Sequence, residues 1–326
     1  MDDQPWESKW FGDENYCMGR IKDLDRKLKL THPDRNIWGY LVDSVPTGVI
    51  QELCKSYKHV YAISEQSGFA VPENCTAYTV PRSFYGTYYV DNLNLDGDIV
   101  RDYNCFLNRI DVARQNWFYI LYDRGWLDRG LVSFNFRFGK GYSKETPREV
   151  FEHYHQTMLS SYDYLYPAVE KIVPYKNFVD TNNQFERVLE TKFSIVVEPY
   201  YDRPDSVCFS EKTFRVLQLP RPWVLFGATG SVERLRSMGF DVFDDYVDHG
   251  YDSVDTSKQY SSKQDAMLPE IQRLMNIEVT PSMIDHWKQK AQHNREILHK
   301  WSQHWHSDFL NLLDQVYYDA TQADTK

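Results

Sequence analysis

The chain has 326 residues, enough for about two domains of ordinary size. Hydrophobic residues make up 42% and aromatics 16%, so real cores can form. With 37 basic against 47 acidic residues the net charge is −10, which excludes a generally basic nucleic-acid coat protein but leaves room for a local basic patch.

Residues 1 to about 35 are polar, with Arg20, Lys22, Arg26, Lys27, Lys29 and Arg35 alternating with Asp23 and Asp25. They read as a solvated helix face, an arm or a binding patch. Ile37 to Val42 reads as a buried strand. Ser44 and Pro46 look like a helix start, with Val49, Ile50, Leu53 and Tyr57 at helical spacing. His59 to Ile63 and Cys75 to Val80 follow as strands, and strand–helix–strand is the grammar of a parallel α/β layer. Tyr85 to Asp98, rich in Tyr, Asn, Asp and Gly, reads as the link to a second unit.

That unit opens with the short apolar stretch Tyr103 to Leu107. Asp111 can cap a helix carrying Val112, Trp117, Ile120 and Leu121, ended by Gly125. Leu131 to Phe136 predicts a strand. Thr146, Pro147 and Glu149 form a capping box for a helix carrying Val150, Phe151 and Met158. Phe193 to Val197 predicts a strand, Glu211 to Leu219 a helix, and Trp223 to Phe226 a strand ended by Gly227. Ser231 to Met238 predicts a helix stopped by Gly239, and Phe240 to Phe243 another strand. The alternation implies a second doubly wound sheet. From a Thr280 cap and Pro281, one long amphipathic helix is expected towards Tyr318. The expected domains are 1–98, 99–278 and a C-terminal helix at 279–326.

Cysteines at 17, 54, 75, 105 and 208 form no CxxC pair, which argues against a disulfide scaffold or zinc ribbon and fits a reducing compartment. The polar start MDDQPWESKW is not a signal peptide, and no apolar run reaches membrane-spanning length. A cytoplasmic protein with no membrane partner is expected.

Several groups could carry chemistry. Asn108-Arg109, with Arg114 beyond, sits where a strand ends and a helix begins. An arginine there can grip a phosphate, or simply pair with Asp111. In Phe209-Ser210-Glu211-Lys212, Lys212 could neutralise a diphosphate while Glu211 accepts hydrogen bonds from hydroxyls. Equally, Ser210 and Glu211 suit a helix first turn. Glu198 ends a strand, placed for a sugar or as a structural acceptor. Gly227-Ala228-Thr229-Gly230-Ser231 is a glycine-containing turn but not a dinucleotide fingerprint, and no Walker motif occurs. The pairs His153/His155 and His304/His306, with His299, have spacing that favours packing over metal binding. Asp23-Leu24-Asp25 and Asp244-Asp245 only superficially echo an acidic metal motif; no metal is expected.

The order of these signals carries a resemblance. NCFLNRIDVARQNWFYILYDRGWLDRGLVSF looks like the NR…R…L…G segment of fucosyltransferase-like and exostosin-like GT-B glycosyltransferases, including those of large tailed phages. Downstream, FSIVVEPYYDRPDSVCFSEKTFRVLQLPRPWVLFGATGSVERLRSMGFDVF resembles their donor-binding core, with SEK where the family usually has TEK, and VDHGYDSVD resembles phage endings. The resemblance spans roughly residues 100 to 275. It implies an α/β GT-B protein of two Rossmann-like domains facing a cleft, with the long C-terminal helix packing back across them. It implies a nucleotide-sugar donor such as a UDP- or GDP-sugar, with no other cofactor. Arg109, Lys212 and Glu198 would be catalytic. Arg109, Arg114, Glu198, Ser210, Glu211 and Lys212 would bind the donor. The acceptor would be a glycan, a protein, a small molecule or a hydroxymethylated DNA base. The resemblance does not reach the N-terminal half and carries over no base; a carboxylate of that domain is expected to serve, with Asp43, Glu65 and Glu73, in or near predicted loops, left open as candidates. A non-catalytic nucleotide-sugar-binding module is the alternative.

Overall fold

The computed structural model describes residues 37–42, 51, 54–55, 59–64, 71–107, 112–134, 181–198, 201, 207, 209–256 and 260–323. In chain order the strands and helices are β1 (Ile37–Val42), β2 (His59–Ser64), β3 (Cys75–Thr79), β4 (Arg101–Leu107), α1 (Val112–Asp123), β5 (Gly130–Phe134), α2 (Thr181–Leu189), β6 (Thr191–Val197), α3 (Glu211–Leu217), β7 (Trp223–Phe226), α4 (Ser231–Ser237), α5 (Tyr260–Met275), α6 (Pro281–Ser302) and α7 (Trp305–Ala323). All described strand pairs are parallel, so the fold is mixed α/β. No helix among the described residues is long and apolar enough to cross a membrane. The expected capping box at Thr146 and the Asp111 cap lie outside the described residues, as do Asp23, Asp25, Asp43, Glu65, His153 and His155.

The chain forms two compact units, residues 1–87 with 300–326, and residues 88–299. Where the sequence suggested a break near 98, Val90, Leu93 and Leu95 instead pack on Phe185, Val188, Leu189 and Leu219 of the second unit. In the first unit the sheet order is β1-β2-β3. Val60, Tyr61, Ala62 and Ile63 are buried in succession, as expected of a parallel strand covered on both faces. Phe309, Leu312 and Val316 recur at three and four residues on α7 and pack against Tyr61, Ile63 and Val80. Asp319 then accepts hydrogen bonds from Tyr61 Oη, through its carbonyl at 3.1 Å, and from Tyr78 Oη, through its carboxylate.

The second unit holds a sheet in the order β5-β4-β6-β7. β6 and β7 are buried along almost their whole length. The one polar residue at the middle of β4, Asn104, is satisfied across the sheet. Its Nδ2 donates to Thr191 Oγ1 at 2.8 Å and to Ser194 Oγ at 2.9 Å. α1 ends as expected at Gly125, whose φ of 65° is left-handed. Trp126 N–H bonds Leu121 C=O at 2.8 Å and Gly125 N–H bonds Tyr122 C=O at 2.9 Å, closing the helix with a Schellman motif. α4 closes the same way at Gly239.

Two expectations need correction. Phe240 to Phe243 is not a strand. Asn294 of α6 donates to the Asp241 carbonyl at 2.9 Å and accepts the Asp241 N–H at 2.8 Å. A side-chain amide thus takes the place of a neighbouring strand, and Phe243 adopts a φ of 65° that a strand could not continue. The C-terminal segment is not one long helix, because Gln303 and His304 form a turn between α6 and α7. His304 N–H bonds Trp301 C=O at 3.0 Å, tightening the end of α6, and Asp308 N–H bonds His304 C=O at 3.0 Å to begin α7. The backbone at this break lies against Gly86, where a Cβ would come within 2.3 Å of Ser302 N and 2.4 Å of Trp301 C.

The outer border of β7 is closed by side chains. Leu225 N–H donates to Tyr251 Oη at 3.0 Å, and Tyr251 Oη lies 2.9 Å from His249 Nδ1. His249 Nε2 is 2.7 Å from the Val242 carbonyl and must carry the proton there, leaving Nδ1 as acceptor for the tyrosine. Burial pushes the His249 pKa below the ordinary histidine value, so the ring is held neutral.

Candidate functional site

Strand order fixes where a site can form. β5 and β6 lie on opposite sides of β4, so the chain winds one way to reach β5 and the other way to reach β6. The carboxyl ends of β4 and β6 are therefore a topological switch point, where open α/β sheets bind ligands. The described groups at this edge come from β6, β7, α1, α3, α4 and α5.

Glu198 follows the last residue of β6 and is 1% exposed. Its Oε1 accepts hydrogen bonds from Ser210 N at 3.0 Å and from Thr213 Oγ1, and its Oε2 accepts from Ser210 Oγ at 2.5 Å. Ser210 is the N-cap of α3, and its Oγ also accepts Lys212 N–H at 3.3 Å. A buried carboxylate thus faces the positive end of α3 with both oxygens engaged, which offsets its desolvation.

Lys212 Nζ lies 2.8 Å from Glu211 Oε1 and 3.3 Å from Ser210 Oγ. The lysine side chain is 17% exposed and that of Glu211 is 52% exposed. Desolvation alone would raise the Glu211 pKa. The charges of Lys212 and Arg215 outweigh it and bring the carboxyl down to about 2. Beside Lys212 and Arg215, over Phe106, Ile195 and Val197, the open space is about 20 Å³, roughly one water.

Arg114, on the first turn of α1, is 1% exposed. Its guanidinium donates to the Val197 carbonyl at 3.2 Å, next in sequence to Glu198. Of the expected site residues, Arg114, Glu198, Ser210, Glu211 and Lys212 are thus drawn to one edge. Arg109, with Asn108, lies outside the described residues.

The glycine-containing turn after β7 serves a structural end. Asp252 Oδ2 accepts Val232 N–H at 2.9 Å and Glu233 N–H at 3.3 Å, occupying the amides of α4. Its Oδ1 is 3.1 Å from Lys263 Nζ, which also donates to the carbonyls of Gly227 at 3.0 Å and Ala228 at 3.2 Å. The Lys263 side chain is fully buried. Next to it, Gln264 donates to Ala113 C=O at 3.0 Å and accepts from Asn116, tying α5 to α1. Tyr201 rests on Phe226 with ring centroids 5.1 Å apart.

Sequence reasoning missed Thr213, Asp252, Lys263 and Gln264. α5 carries the last two, and Pro269 inside it interrupts the helical pattern. Asp252 was visible only as part of VDHGYDSVD. Asp244 and Asp245 face cations rather than each other. Asp244 pairs with Arg236 at 2.6 Å and Asp245 with Lys290 at 2.9 Å. Among the described residues no three His, Cys, Asp or Glu side chains group as metal ligands. No model of a known protein family matches the chain, and no curated protein matches it.

Proposed function

We propose that this chain is a glycosyltransferase of the GT-B class, moving a sugar from a nucleotide-sugar donor to an acceptor hydroxyl, with the donor held by the second unit. One observation carries the reading. The switch point of the β5-β4-β6-β7 sheet falls at the ends of β4 and β6, the strands followed in sequence by Arg109 and by the Glu198 to Lys212 segment.

In this reading the acceptor oxygen attacks the anomeric carbon in line with the bond to the diphosphate. That C–O bond breaks, the nucleoside diphosphate leaves with the electron pair, and configuration inverts. The hydroxyl proton passes to a carboxylate base. Arg109 and Lys212 stabilise the growing phosphate charge, an effect of about 3 kcal/mol per preorganised group. These cations make a metal unnecessary. Arg114, Glu198 and Ser210 hold the rim, and Glu211 accepts hydrogen bonds from ribose or sugar hydroxyls. The acceptor is a glycan, a protein, a small molecule or a hydroxymethylated DNA base, and the setting is the cytoplasm, that of the host if the chain is viral.

A thermal-shift screen with UDP-, GDP-, ADP- and CMP-sugars tests the reading. One nucleotide class should raise the unfolding temperature, and Lys212→Ala should abolish that rise. No shift with any class would end it. A second reading, a non-catalytic nucleotide-sugar-binding module, is favoured by the full engagement of Glu198 by Ser210 and Thr213. Donor hydrolysis without acceptor separates the two, since a binder releases no nucleoside diphosphate.

A further inference from the structure

Two nucleophilic side chains meet within the first unit. Cys54 is helical, in the segment between β1 and β2, and Cys75 is the first residue of β3. Their meeting follows from the chain. β2 and β3 run parallel, with Val60 opposite Cys75. The turn that enters β3 is closed by Cys75 N–H, which donates to the Pro72 carbonyl at 2.9 Å. Asn74 sits in that turn and reaches both neighbours. Its carbonyl accepts Val60 N–H at 2.8 Å, and its Nδ2 donates to the Cys54 carbonyl at 2.8 Å. Asn74 thus ties the helical segment to the entry of β3. Cys75, next in sequence, brings its thiol against that of Cys54, and the two hydrogen-bond.

Both are free thiols, and they are not equivalent. Cys54 is half-buried, while Cys75 is 7% exposed. Burial pushes both thiols up, Cys75 to about 12. The hydrogen bond between them lowers Cys54 and raises Cys75. Cys75 is therefore the donor, and Cys54 ionises first. Cys105, the other free thiol among the described residues, is wholly buried in β4.

We infer that Cys54 and Cys75 form a reversible oxidation site, closed to a disulfide by a hydroperoxide and reopened by a dithiol. The Cys54 thiolate attacks an oxygen of the peroxide. The S–O bond forms, the O–O bond breaks, and the leaving oxygen carries off the electron pair and takes up the proton that Cys54 released. The Cys75 sulfur then attacks the Cys54 sulfenic acid. The S–S bond forms, the S–O bond breaks, and hydroxide leaves as water with the Cys75 proton. The two thiols give up two electrons and the peroxide takes them. Exchange with a dithiol restores both thiols. A transient link of this kind suits a reducing compartment, where a permanent scaffold does not. The link fastens the helical segment to the amino edge of β3. It uses no residue of the second unit, so the inference stands apart from the glycosyltransferase reading.

Peptide mapping of the monomeric full chain, folded and treated with hydrogen peroxide, tests it. Trypsin leaves Cys54 in residues 36–55 and Cys75 in residues 59–82, so the link is read as one joined peptide, lighter than its two parts by the hydrogens lost. That peptide should outweigh every linkage to Cys17, Cys105 or Cys208, and dithiothreitol should return it to its parts. Cys75→Ser should lose the link and leave a sulfenic acid on Cys54, trapped by dimedone. Cys54→Ser should lose the link and leave Cys75 without the dimedone mark. The mapping of the unsubstituted chain holds whether or not the two variants fold. Absence of the joined peptide from the folded chain, linkages spread evenly over the five cysteines, or dimedone on Cys75 rather than Cys54 overturns the inference.

Discussion

Lys263 Nζ lies 3.1 Å from the Asp252 carboxylate, with the lysine side chain wholly buried and that of the aspartate 9% exposed. The pair joins the turn after β7 to α4 and α5, because Asp252 also receives two α4 amides and Lys263 two carbonyls of the turn. Lys263→Met should lower the unfolding free energy by about 3 to 5 kcal/mol, the cost of leaving a buried charge without its partner. Adding Asp252→Asn should cost less than the sum of the two single changes. Urea denaturation of the double-mutant cycle measures this, and strict additivity would mean that the pair is not coupled.

Glu198 is held by Ser210 and Thr213, so its removal acts first on the fold. Glu198→Ala should cost about 2 to 4 kcal/mol, since two hydroxyls and an N–H lose their acceptor and α3 loses the charge at its positive end. A variant as stable as the parent, by denaturant midpoint, would free Glu198 for a purely catalytic part.

His249 makes stability depend on acidity. Its folded pKa lies below the unfolded value because burial disfavours the charged ring. The unfolded chain therefore binds the proton more readily. The full stability is present above the unfolded value of about 6.5 and is lost as pH falls from there through the folded pKa. His249→Gln should flatten the dependence of the urea midpoint on pH between about 7.5 and 5. An unchanged slope would assign it to other groups.

Gly86 is required by contact rather than by backbone angle. Gly86→Ala would place a methyl 2.3 Å from Ser302 N. The clash is with backbone, which cannot swing aside. The expected loss is about 1 to 3 kcal/mol, the range for overpacking. Thermal unfolding measures it, and a midpoint equal to the parent's would mean that the Trp301–Ser302 backbone gives way without cost.

Much of the second unit was legible in the chain. β7 is a continuous apolar run and β6 ends in one, Ile195 to Val197, and Gly125 and Gly239 stop their helices in left-handed turns that favour glycine. What escaped was set by partners far away in sequence. Phe240 to Phe243 has the composition of a strand, but Asn294, some fifty residues on, supplies the hydrogen bonds in its place. The stripe from Met283 to Val316 keeps helical spacing through Gln303 and His304, yet Gly86 and Ser83 draw the chain into a turn there. At the rim, Ser210, Glu211 and Lys212 read correctly as a helix first turn, while nothing in the order of residues announced that Lys263 would be the counter-ion of Asp252.

The hydroxyl of Tyr251 has an effect beyond its own contacts. By taking the amide of Leu225, it removes a docking point that an incoming extended segment would need, and the His249 ring stands behind it as a brace. The β7 margin is thereby poorly suited to self-templated growth, in which one molecule recruits the next by lengthening a shared ladder. Acid that loosens the imidazole would therefore expose the molecule to aggregation as well as to unfolding.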